Sequence, residues 1–196
     1  AVDSMRVDEN MVSAKELQEQ GVKHYQKQDY EEAARVFQQA IEAYTEAGDR
    51  GAAAEMQSNL GLVHRALAEY QQALDSFDNA LRTFQELGDA FHAAQVLGNM
   101  GSVFTRLGDK EQAYNCYEQA ADVFLELDRK DLYGETLIAI GELQMKDGKI
   151  LKGAETYESA LTFMPELSGR QRVVKWLIGL RNRVVNVGSA TAGLGR

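Results

Sequence analysis

The chain has 196 residues, 44% hydrophobic and 26% charged, a balance ordinary for one folded unit read as a single continuous array. Its net charge of −9 is uneven: from Gly169 onward there are six cations and no acid, so residues 1–168 carry −15 and repel phosphate backbones, which argues against a nucleic-acid partner. A lone Pro165 permits long helices almost everywhere, a lone Cys116 excludes an internal disulfide and suits a reducing compartment, and no apolar run approaches the ~20 residues of a membrane-spanning helix.

The N-terminus shows no charged-then-apolar signal pattern, and a cytoplasmic location is expected. Residues 1–12 precede a candidate first cap, Ser13, and read as a short lead-in. From there the chain repeats itself every 40 residues without an insertion. Gly21, Gly61, Gly101 and Gly141 set the register. Ala33, Ala73, Ala113 and Gly153 follow it, then Phe37, Phe77, Tyr117 and Tyr157, then Ala40, Ala80, Ala120 and Ala160.

Each unit reads as two helices. In the first, Leu17, Gly21 and His24 mark one helix, and Ala33, Phe37, Ala40, Ile41, Tyr44 and Ala47 mark the apolar stripe of another. Between them Asp29, three residues before Glu32, predicts a capping box, and Gly108, Asp109 and Gln112 repeat the arrangement in the third unit. Gly48 with Asp49, and Gly88 with Asp89, fit a helix stop followed by a new start. The units span about residues 14–48, 54–88, 94–128 and 134–168. Beyond them, Leu177, Leu180 and Val184 lie 40 residues after Leu137, Ile140 and Gln144, behind the capping-box sequence Ser168, Gly169, Arg170 and Gln171. Residues 169–187 are therefore expected to form a closing helix, and the Gly- and Ser-containing residues 188–196 a flexible tail.

Glycine on the first helix and alanine on the second let two backbones approach, while the aromatic one turn away fills the space beside them. One such pair cannot bury its apolar face alone, so pairs must stack. The fold class is all-α.

The series Leu60, Gly61, Tyr70, Ala73, Phe77 and Ala80, and its counterpart Gly101, Gly108, Asp109, Ala113, Tyr117 and Ala120, resembles the tetratricopeptide repeat over residues 14–168. A unit of 40 residues, longer than the usual ~34, is similar to the extended repeats of Pins-type adaptors and kinesin light chains. The resemblance implies a right-handed α-α superhelix of four helix pairs with a C-terminal capping helix, and the binding of another protein. Gln20 and Gly153 depart from the pattern, so the outer repeats are expected to pack more loosely.

Columns that pack must stay alike between units, and three do not: Gln18, Ser58, Gly98, Ile138 and Ile178; Val22, Leu62, Ser102, Glu142 and Asn182; Tyr25, Arg65, Thr105, Met145 and Val185. Offsets of four and three place them on one strip of the first helices, expected to line a concave groove for a peptide or helix of a partner. Asn59 and Asn99 flank the strip, each amide able to donate and accept at once. By resemblance to the Pins-type relatives they hold an extended peptide, and the alternative is that they bond neighbouring helices. Arg65 and Arg106 either pair with acidic groups of the ligand or are plain solvated surface. A carboxylate clamp of the heat-shock co-chaperone kind is not expected, because its places hold Gln18, Val22, Asn59, Gln95 and Asn99, without positive charge.

No nucleophile, base and orienting acid fall together, no two-histidine metal spacing occurs, and no phosphate-binding glycine loop is present, so neither enzymatic activity nor a cofactor is expected. His24 and His64, 40 apart, read as core-edge packing residues, His92 as exposed near a helix start, and Cys116 as a partly buried small residue. The rival signal is the basic last helix. Besides closing the stack, it would serve as an assembly scaffold, by docking on an anionic membrane or by self-association into a homodimer through residues 170–187.

Overall fold

A computed structural model describes residues 2–164, 169 and 171–176. Among them are eight helices and no strand: α1 (Val2–Gln26), α2 (Tyr30–Glu46), α3 (Arg50–Ala66), α4 (Tyr70–Leu87), α5 (Ala90–Leu107), α6 (Lys110–Glu126), α7 (Lys130–Lys146) and α8 (Ile150–Ala160). Consecutive helices pair as expected of an all-α solenoid. The chain divides into two compact units, Ala1–Val123 and Phe124–Arg196, within α6.

Turns of two or three residues join the helices, and they share one geometry. A left-handed residue stands at every twentieth position of the described chain, at Gln28, Gly48, Ala68, Gly88, Gly108, Asp128 and Gly148. In each turn the next residue's N–H donates to the carbonyl five positions back, as from Asp49 to Tyr44 (2.9 Å) and from Asp89 to Phe84 (2.8 Å), which satisfies a carbonyl the helix end leaves open. Asp49, Asp89 and Asp109 then cap the following helices, accepting from the N–H groups of Ala52, His92 and Gln112. The capping box expected at Asp29 does not form. Its carboxylate turns to the His24 ring instead (2.9 Å), and Glu32 pairs with Arg35.

The 40-residue register is explained by close approach. A Cβ on Gly21, Gly61 or Gly101 would lie 2.6–2.7 Å from the ring of Phe37, Phe77 or Tyr117 on the paired helix. Phe37 and Phe77 are almost wholly buried, and Ala14, Ala33, Ala40, Met56 and Val63 fill the core around the first of them. In α7 and α8 it is backbone that approaches: a Cβ on Gly141 would meet the Gly153 carbonyl at 2.9 Å, and one on Gly153 would meet the Gly141 carbonyl at 2.6 Å. Gly153 therefore marks tight backbone packing, not the looser packing expected of it.

One further expectation changes: α1 begins at Val2 and runs through Ser13, which is therefore not its first cap, and no proline or glycine interrupts residues 1–20. Of the closing helix, residues 169 and 171–176 are helical, and Val174 packs against Tyr157 and Leu161. The remainder of that helix, its capping box and the tail 188–196 lie outside the described residues.

Candidate partner-binding site

The expected site residues fall on the first helix of each pair: Gln18, Val22 and Tyr25 on α1; Ser58, Asn59, Leu62 and Arg65 on α3; Asn99, Ser102 and Arg106 on α5; Glu142 on α7, in the second compact unit. Most are half-buried, whereas Val22 and Arg106 are exposed. Ile178, Asn182 and Val185 of the same columns lie outside the described residues.

Several of these side chains already have partners. The Tyr44 hydroxyl donates to Gln18 Oε1 at 2.6 Å, joining α2 to α1, and the Tyr25 ring meets Tyr30 edge-on at 5.6 Å. Arg65 Nη1 donates to Asn99 Oδ1 at 3.4 Å, which links α3 to α5. Burial pushes the Tyr117 phenol above its ordinary value, against the opposing influence of hydrogen bonds with Thr105 and Ser102 and of the Arg65 charge. The two asparagines thus occupy equivalent register positions and differ in state. Asn99 is engaged by Arg65, while Asn59 lines an open cleft.

That cleft, about 210 Å³, lies between α3 and α5. Phe84 and Val96 form its buried apolar side, and Glu55, Ser58, Asn59, His92 and Gln95 supply polar groups. His92, expected to be exposed, is half-buried, because its ring stacks on Phe84 at 5.1 Å while Asp89 holds its Nδ1 at 2.7 Å. Its Nε2 is 3.8 Å from Glu55. Burial acts to raise the Asp89 pKa, but hydrogen bonds from the His92 backbone and ring outweigh it and hold the carboxyl below its ordinary value. Amides, a hydroxyl and a carboxylate around an apolar base can bond a polypeptide segment along its backbone. Sequence reasoning missed Glu55 and His92. The spacing of His92 three residues after the cap Asp89 was the available signal.

His24 and His64, read as packing residues, are half-buried and bond carboxylates of the following turn: Asp29 at 2.9 Å and Glu69 at 2.7 Å. Cys116 is buried, and that burial raises its thiol pKa to about 11. Among the described residues no group of three or more His, Cys, Asp or Glu could hold a metal ion, and no helix is long and apolar enough to cross a membrane.

The family model described as tetratricopeptide repeat matches residues 19–86 and 52–126, together more than half of the chain. Among solved structures, the crystal structure of BtubC (BKLC) from P. vanneervenii is similar at a TM-score of 0.72 and 14% identity, covering 98% of this chain and 93% of that one. At that identity the likeness is one of fold. The comparison with curated proteins gave no match.

Proposed function

The chain belongs to the tetratricopeptide repeat family, a class of protein-interaction scaffolds, and from that premise we propose that it is an adaptor capturing a peptide or helical segment of another protein along the strip on its first helices. The observation that carries this reading is the cleft beside Asn59, where polar groups from α3 and α5 surround an apolar base. An extended segment laid across it would exchange backbone hydrogen bonds with the amides of Asn59 and Gln95 and place a side chain against Phe84 and Val96.

The test is affinity capture with Asn59→Ala, Asn99→Ala and the double variant, alongside circular dichroism and melting. Asn59→Ala is expected to weaken capture about tenfold, the loss of roughly one well-made hydrogen bond. Asn99→Ala should weaken it less, since that amide is already bonded to Arg65. Unchanged capture by the folded double variant would discard the assignment.

A further inference from the structure

The clefts between successive helix pairs recur with the 40-residue period, but their linings do not. One cleft, about 280 Å³, has Ala53 and Ala54 beside Gln57, Arg82 and Thr83. The next, about 450 Å³, keeps the alanines as Ala93 and Ala94 but replaces the other three by Leu97, Asp122 and Val123. The first is polar and cationic. The second has an apolar floor, with Ala93, Ala94 and Leu97 all buried, and the acidic residues Asp89 and Asp122 among its lining, Asp89 with its carboxylate bonded to His92. Such a cleft suits an apolar side chain carried beside a cation.

The chain presents such a group. Val174 packs inward on Tyr157 and Leu161, which turns the opposite side of the helical residues 171–176 outward. Val173 is 57% and Trp176 65% exposed. At 100° per residue, Lys175, Arg172, Trp176 and Val173 follow one another around a single arc. We propose that Trp176 and Val173 of one copy dock in the Leu97 and Val123 cleft of a second copy, with the Lys175 side of the arc toward Asp122. The −15 charge of residues 1–168 opposes approach to an anionic membrane and favours this acidic cleft as the destination of a basic segment. The cleft beside Asn59 and this one share no lining residue, so self-association and partner capture fail separately.

Sedimentation velocity over a concentration series tests this with the whole chain. Trp176→Ala removes the inserted group. Asp122→Arg with Val123→Thr gives the cleft the residues its neighbour carries at Arg82 and Thr83, and circular dichroism checks that both variants fold. Wild type should associate with rising concentration, each variant should raise the dissociation constant at least about tenfold, and mixing the two should restore association, because one retains the cleft and the other the segment. A wild type that stays monomeric, variants that associate as wild type does, or a mixture no stronger than its components would overturn the proposal. So would Trp176-dependent binding to phosphatidylserine vesicles without self-association.

Discussion

Replacing Gly61 by alanine isolates the close approach that sets the repeat. The new Cβ would stand 2.6 and 2.7 Å from two ring carbons of Phe77, whose side chain is fully buried. Carbon atoms prefer ~3.5–4.0 Å, so the ring must shift by about 1 Å within a packed core, at an overpacking cost of ~1–3 kcal/mol. Alanine's better helix propensity returns ~0.8–1.0 kcal/mol. Gly98, also inside a helix, has nothing within 4 Å of its Cβ position and supplies the control. Propensity cancels between the two variants, leaving Gly61→Ala about 1–3 kcal/mol less stable than Gly98→Ala. Urea unfolding followed by circular dichroism measures the difference, and adding Phe77→Leu to Gly61→Ala should show favourable coupling. Equal stabilities, or a Gly61→Ala protein more stable than Gly98→Ala, would rule out the Phe77 contact as the source of the register.

Ala68, left-handed at φ 60°, should favour glycine: relief of ~1–2 kcal/mol against an entropic cost of ~0.5–1 gives Ala68→Gly a net gain of about 0.5–1 kcal/mol in urea unfolding. The folded Asp89 pKa is depressed, so its contribution is present above the unfolded pKa and lost as pH falls through the folded one; the stability difference between wild type and Asp89→Asn should shrink across that acid range, as melting at successive pH values would show. Cys116, with its thiol raised to about 11, should react slowly with iodoacetamide near neutral pH and quickly once urea unfolds the chain.

The repeat and its packing were legible because each close approach needs one small and one large residue at a fixed spacing. Gly61 with Phe77 and Gly101 with Tyr117 write that requirement into the chain. The turns were legible where glycine holds the left-handed position, at Gly48, Gly88 and Gly108, and at Gln28 through the Asp29 beside it, but hidden at Ala68 and Asp128, whose residue types do not signal the same conformation. The Asp29 capping box failed because a nearby imidazole competes for the same carboxylate. Gly153 was misread since glycine in an alanine column signals either a gap or a closer backbone, and only the position of the Gly141 carbonyl decides between them. At the candidate site, the variable columns suggest a strip on the first helices, and which of its flanking amides is occupied depends on the reach of Arg65 across to α5.

Left-handed residues at every twentieth position make the chain tolerant of edits of one size only. A single residue inserted within a helix rotates all that follows it by about 100° and turns its buried stripe toward water. A block of 40 residues removed or duplicated between two such turns rejoins like backbone to like, so arrays of other lengths can be cut from this chain without inventing a new joint.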